Sequence, residues 1–412
     1  MAQDHADHIR DTKQTIDSQV DVSLTLAKHL LLNYGKKTNL VFSPISMQIV
    51  LSLLAAGSSG ETLDQLLSFL KAKNIDDLNH LYSYLVDLVF VDGSVTGGPC
   101  LSFANGVWLD KSLALKPSFK HVVDNLYKAA SHEVDFKNKA EEARHLVNSW
   151  VEKNTNDLVK EILPPKSLTR STRLVLANAL YFKGEWTNLF DADDTEDYDF
   201  YFLNDDSVKV PFMRMGGHQR ISVFDDFKVL KLPYTRAVMG QDNWNASFDK
   251  KRSFSMYIFL PDTKDGLPAL VEKAGSDSGF LERHIPSELV LVGKFRIPKF
   301  KFEYEIEVSE AFKALGLDLP FDPDAGFSEI VDDPMPLCVS KIHHKAFIEV
   351  KEGGTVAAAA TDADCDLVIC LEAEIEKVVI DFVADHPFLF FIREDETRMV
   401  QFIGHVLDPS TT

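Results

Sequence analysis

The 412-residue chain has few cysteines, no long apolar run and a shortage of positive charge, and each shortage removes a class of function. Its 4 cysteines (Cys100, Cys338, Cys365 and Cys370) have neither the spacing of a disulfide framework nor that of a zinc site, which points to reduced thiols in an intracellular protein. No apolar stretch reaches the roughly 18 residues a membrane span needs. Met1 to His8 is polar and carries no secretory leader, so the cytosol is the expected location, with the nucleus or unconventional export left open. The sequon Asn245-Ala246-Ser247 is then expected to stay unmodified. Lys and Arg number 43 against 63 Asp and Glu, a formal net charge of −20. Nucleic acid and anionic membranes reward the opposite sign and are not expected partners.

The common catalytic signatures are missing too. No G-x-S-x-G elbow, H-E-x-x-H pair, Walker A loop or G-x-G-x-x-G turn occurs. His132-Glu133 runs on into Val134-Asp135 and is no zinc motif. Cys338, His343 and His344 are the nearest approach to a metal set, but a strand sends adjacent histidines to opposite faces. No metal and no cofactor are expected, and the acidic run Asp191 to Asp199 reads as a solvated loop.

Hydrophobic residues at 45% and charged residues at 26% leave ample material for a large core. Periodicity predicts helices over Val20–Tyr34, Pro44–Ala56, Glu61–Leu70, Leu78–Phe90, Pro117–Tyr127 and Glu141–Glu161. Ser43 can cap the second of these, with Pro44 as its first residue. Strands are expected over Leu101–Leu109, Arg173–Phe182, Phe227–Leu232, Phe254–Leu260, Lys294–Phe302, Cys338–Lys351, Phe388–Arg393 and Val400–Val406. In Cys338–Lys351, Ile342, His344, Ala346 and Ile348 share one face, opposite His343, Lys345, Phe347 and Glu349. Helices fill the first 160 residues and strands most of the rest, an α+β pattern in one large domain spanning 1–412.

Between Glu352 and Phe382 the parity is unusual. Read as a strand, Thr355, Ala357, Ala359, Thr361, Ala363 and Cys365 lie on one side, all small and uncharged. Val356, Ala358, Ala360, Asp362, Asp364 and Asp366 take the other side, so the aspartates all point one way. A strand with one buried face explains that sorting, yet Gly353, Gly354 and the small residues also suit an exposed loop. The segment is built for two states.

The chain resembles the serpins, plant serpins of the Z type above all. The resemblance rests on Asn39-Leu40-Val41-Phe42-Ser43-Pro44-Ile45-Ser46, on Asn178-Ala179-Leu180-Tyr181-Phe182-Lys183-Gly184-Glu185-Trp186, on Lys294-Phe295-Arg296-Ile297-Pro298-Lys299-Phe300, and on Phe382-Val383-Ala384-Asp385-His386-Pro387-Phe388. Gly404 with Asp408-Pro409 completes a pattern running from about Val20 to Pro409. It implies eight or nine helices, three β-sheets and an exposed reactive-centre loop over 352–378. It also implies a monomeric suicide inhibitor: a protease attacks the loop, forms an acyl-enzyme, and is trapped when the loop inserts into the central sheet. Ser43, Ser46, Asn178 and His344 match the buried shutter cluster, and Trp186 matches the breach. The hinge is Glu352, Gly353, Gly354, Thr355, Val356, Ala357, Ala358, Ala359, Ala360 and Thr361. It departs from the family at Gly353 and Val356, where acidic residues are usual, which leaves a non-inhibitory storage or protein-binding serpin as the alternative.

Counting from Glu352 along the family pattern places the reactive bond between Val368 and Ile369. Counting back from Phe382 places it after Cys370 or Leu371. No Lys or Arg lies between Glu352 and Lys377, so a trypsin-like target is not expected. A serine protease with a small apolar pocket, or a papain-like cysteine protease reading Leu367, fits better. The expected role is that of an endopeptidase inhibitor, not an enzyme.

Overall fold

The computed structural model describes residues 2–88, 93–94, 98–155, 157, 159–236, 252–332, 337–355 and 379–411. The helices are α1 (Ala2–Asn33), α2 (Pro44–Ala56), α3 (Gly60–Phe69), α4 (Ile75–Leu88), α5 (Pro117–His121), α6 (Phe136–Asn154), α7 (Leu267–Ser276), α8 (Phe280–His284) and α9 (Ser309–Ala314). The strands of the first half are β1 (Leu40–Phe42), β2 (Cys100–Asp110), β3 (Ala130–Val134), β4 (Leu174–Glu185), β5 (Glu196–Tyr201), β6 (Ser207–Arg214), β7 (His218–Val223) and β8 (Phe227–Pro233). There follow β9 (Phe254–Pro261), β10 (Leu289–Pro298), β11 (Phe300–Glu307), β12 (Ile342–Lys351), β13 (Gly354–Thr355), β14 (Val379–Val383), β15 (Phe388–Glu394) and β16 (Val400–Val406).

Six strands form one sheet in the order β11-β12-β13-β4-β2-β3. The other ten run β1-β16-β15-β9-β8-β7-β10-β6-β5, with β14 beside β10. The three sheets expected are thus hydrogen-bonded into two networks, because β7 pairs with both β8 and β10. The main core lies between the inner face of the six-stranded sheet, α2 and the larger sheet. A second cluster packs α6 over the outer face, where Val175, Ala177 and Ala179 of β4 meet Val147 and Val151.

Helix α2 forms as its sequence dictates. Ser43 Oγ accepts from the Ser46 N–H at 3.3 Å, Pro44 opens the first turn, and the helix is buried on every side up to Ala55. Other elements differ from expectation. The single strand expected over Lys294–Phe302 is two, since the chain leaves the larger sheet at Pro298 and enters the smaller one at Phe300. The helix expected from Glu141 begins at Phe136, where Asp135 accepts from the Asn138 N–H at 2.9 Å, and it ends at Asn154. The segment after Pro117 is α5 followed by one π turn at Val122–Leu126.

Pairing down the middle of the six-stranded sheet is uneven. Strands β12 and β4 run parallel and pair directly only from Ile342↔Leu176 to Lys345↔Ala179. Higher up, β13 stands between them, antiparallel to both, with Thr355 opposite Val350 and Gly184 and Gly354 opposite Lys351 and Glu185. The sheet is closed at its lower end and split at its upper end.

Candidate functional site

The upper end of the split is assembled around β13. Gly354 adopts φ +139°, and a Cβ there would stand 2.2 Å from the Gly184 carbonyl oxygen, so only glycine fits. Thr355 is 1% exposed and its hydroxyl lies 2.7 Å from that of Tyr234. The Tyr234 ring stacks on Trp186 at 4.6 Å and meets Phe182 edge-on at 4.9 Å. Burial pushes the Tyr234 phenol up well above its ordinary range, with the Thr355 hydrogen bond pulling the other way, so the hydroxyl keeps its proton. Trp186 donates from Nε1 to the Lys351 carbonyl at 2.9 Å and from its backbone N–H to the Gly353 carbonyl at 3.2 Å.

Glu352 is held from three sides. Lys299 Nζ and Thr195 Oγ1 each approach its Oε1 at 2.9 Å, and its carbonyl accepts from the Phe190 N–H at 3.1 Å. Burial raises the Glu352 carboxyl, but the hydrogen bonds it receives, foremost that from Lys299, together with the Lys299 charge, bring it below its ordinary value.

The lower end lies where β12 and β4 pair directly. His344 sits opposite Asn178 in the register and points into the main core, as its strand parity requires. The Ser43 N–H donates to His344 Nε2 at 3.0 Å, so the ring proton resides on Nδ1. Burial pushes the ring down to about 3 and keeps it neutral. Asn178 does not bond to His344; its Nδ2 donates to Asn105 Oδ1 on β2. Asn178 Oδ1, Asn105 Nδ2 and Ser46 Oγ are buried with no partner among the described residues.

The four shutter candidates are therefore neighbours, but not one closed hydrogen-bond cluster. Trp186 and the hinge residues Glu352, Gly353, Gly354 and Thr355 do come together. Val356, Ala357, Ala358, Ala359, Ala360, Thr361, Leu367, Val368, Ile369, Cys370 and Leu371 lie outside the described residues. Sequence reasoning missed Tyr234, Lys299, Thr195 and Asn105. Lys299 stands inside a family block, whereas Tyr234 follows Pro233 without any periodic signal.

Among the described residues no helix is long and apolar enough to cross a membrane. The family model described as "Serpin (serine protease inhibitor)" matches residues 17–409. Serpin-ZX of Arabidopsis thaliana is 48% identical over 402 residues, covering 97% of this chain and 99% of that protein. Serpin-ZXA of Oryza sativa subsp. japonica is 50% identical over 378 residues, 91% of each chain. The solved structure of Arabidopsis AtSerpin1 in its native stressed conformation superposes with a TM-score of 0.87 at 46% identity, covering 97% of this chain and 99% of that one. A sheet split at one end, Gly354-Thr355 seated in the split, and this likeness over nearly the whole length lead to one statement: the chain belongs to the serpin family and is similar to plant serpins of the Z type.

Proposed function

We propose that the chain is a suicide-substrate inhibitor of serine or papain-like cysteine endopeptidases, acting as a monomer without metal or cofactor. The observation that carries this reading is the seat of Gly354-Thr355 as the first rungs of a strand between β4 and β12. Thr355 faces the core there, so a strand continued from it would turn Ala357, Ala359, Thr361, Ala363 and Cys365 inward.

The register can be continued one residue at a time. Ala357 would lie between Phe182 and Ile348, Ala359 between Leu180 and Ala346, and Thr361 between Asn178 and His344. Cys365 would come level with Leu174, the first residue of the 12-residue β4. Gly354–Cys365 would thus match β4 rung for rung and carry the chain roughly 40 Å. In that inserted strand Asp366, Leu367 and Val368 would project past β4, which favours the Val368–Ile369 bond over cleavage after Cys370 or Leu371.

The chemistry belongs to the protease. Its Ser or Cys attacks the Val368 carbonyl carbon, the bond to the Ile369 nitrogen breaks, and the leaving amine takes its proton from the protease's general acid. Insertion then carries the ester or thioester away from the geometry that water needs. Leu367 suits an apolar second pocket, and the missing basic residue disfavours trypsin-like targets. The free thiol of Cys338 accords with a reducing, cytosolic or nuclear setting.

The test is incubation with papain and with an elastase-type serine protease. An SDS-stable complex, a released fragment beginning at Ile369, and a higher melting temperature after cleavage are the expected results. Cleavage with no complex and no rise in melting temperature would instead mark a non-inhibitory storage or binding serpin.

A further inference from the structure

Tyr234 is anchored to both sheets at the point where the hinge enters. Its backbone N–H donates to the Phe254 carbonyl of β9 at 2.9 Å, and the residue bridges Trp186 at the end of β4. The next residue, Thr235, donates its N–H to the Glu185 carbonyl at 2.7 Å. The ring runs beneath Gly184, where a Cβ would meet Tyr234 Cδ1 at 2.7 Å. A residue larger than glycine at 184 would therefore displace it. The ring is clamped, and its hydroxyl presents one fixed polar atom on the inner side of the first rung.

We propose that Tyr234 is a positioning residue for strand insertion, its hydroxyl holding that of Thr355 so that the hinge enters in a single register. The inference rests on the inhibitory reading above and adds to it what starts the strand correctly. A slip of one residue would turn Val356, Ala358, Ala360 and three aspartates toward the core. Apolar side chains cannot forbid that slip, because the alanines are alike on both parities. A buried hydroxyl needing one partner can: of the hinge residues 353–360, Thr355 alone carries a side-chain hydroxyl.

The test uses the full chain, papain as probe protease, and the variants Tyr234→Phe, Thr355→Val, Thr355→Ser and the Tyr234→Phe/Thr355→Val pair. Two quantities are read: chains consumed per protease trapped, and backbone amide exchange across 352–355 in the uncleaved chain. Tyr234→Phe should raise both severalfold, Thr355→Ser should restore wild-type values, and the pair should fall short of the two single effects combined. The proposal is overturned if Tyr234→Phe leaves the trapping ratio unchanged, even with faster exchange, since the bond would then only stabilise the uncleaved chain. It is likewise overturned if trapping worsens while exchange stays the same. If wild type traps neither papain nor an elastase-type protease, the inhibitory reading falls and takes the proposal with it. Wild-type trapping that Tyr234→Phe matches removes the positioning role alone.

Discussion

At the upper end of the split, Thr355, Tyr234, Trp186 and Glu352 have all found partners, whereas at the lower end Asn178 Oδ1, Asn105 Nδ2, Ser46 Oγ and, on the sheet's other face, His343 Nε2 are buried with none among the described residues. The two ends belong to the same pair of strands and lie only about 20 Å apart. The upper end is already occupied by strand and is fully bonded. The lower end is zipped by β12 against β4 and leaves Asn178 Oδ1, Asn105 Nδ2 and Ser46 Oγ unsatisfied, each at a cost of roughly 1–3 kcal/mol. Under the insertion proposed above, a molecule that later admits a strand gains from that asymmetry. The entry is specified in advance, and the interior has polar groups to satisfy as the strand arrives.

The largest effect should come from spoiling the entry. Thr355→Arg would place a guanidinium at a 1%-exposed position facing a phenol, costing several kcal/mol. The loop should still be cut, but trapping should be abolished, as read by the absence of SDS-stable complex with a protease that traps wild type. Gly354→Ala should act in the same direction, because its Cβ would collide with the Gly184 carbonyl.

Much of this entry was legible in the chain itself. The inward side of Thr355 and the inward turn of His344 both follow from period-2 alternation, and Ser43-Pro44 announces α2, whereas the parity read for Ala357 to Cys365 lies outside the described residues. What stayed hidden depends on pairing between distant segments. The partner of Asn178 is Asn105, a choice set by the β2–β4 register and not by either sequence neighbourhood. Tyr234 becomes important only because Gly184, some 50 residues earlier, leaves room for its ring. At Pro298-Lys299 the apolar alternation changes parity, from Phe295 and Ile297 to Phe300 and Phe302, and this break, which marks the change of sheet, is passed over in reading one strand. Residues 2–19 carry no apolar stripe, which is why the start of α1 at Ala2 was not foreseen.

Acid should weaken the lower end while sparing the upper. Burial depresses His344 from 6.5 to about 3, so the unfolded chain binds the proton first as pH falls. Its contribution is complete above pH 6.5 and is lost progressively between 6.5 and 3, at roughly 1 kcal/mol per pH unit. His405, depressed by burial to about 4, adds to the same slope. Glu352 at the upper end stays ionised from pH 7 to 5, since its carboxyl lies below its ordinary value of 4.5. Urea unfolding at several pH values should show stability falling through this window, and His344→Gln should flatten the fall. An unchanged slope in His344→Gln would leave the lower end without its assigned weakness.

A smaller change is expected from the ion pair that steadies the hinge. The side chains of Lys299 and Glu352 are 36% and 17% exposed, so solvent screens the pair, and Glu352→Gln should cost about 1 kcal/mol or less. The loss should shrink further in high salt and appear as faster amide exchange across 352–355, with trapping largely kept. A collapse of trapping in Glu352→Gln would show that the entry depends on charge more than on the fit of Gly354 and Thr355.

The smallest effect has the opposite sign. Ser46 Oγ is buried with no partner among the described residues, while the Ser46 backbone N–H is what caps α2 through Ser43 Oγ. Ser46→Ala keeps the cap and removes the unsatisfied hydroxyl, so it should stabilise the uncleaved chain by up to about 1 kcal/mol. If the lower end is a reserve of unsatisfied polar groups, the rise in melting temperature on loop cleavage should become slightly smaller in this variant, because its starting state has improved. Should Ser46→Ala instead destabilise the uncleaved chain, the hydroxyl is satisfied there and the asymmetry between the two ends rests on Asn105, Asn178 and His343 alone.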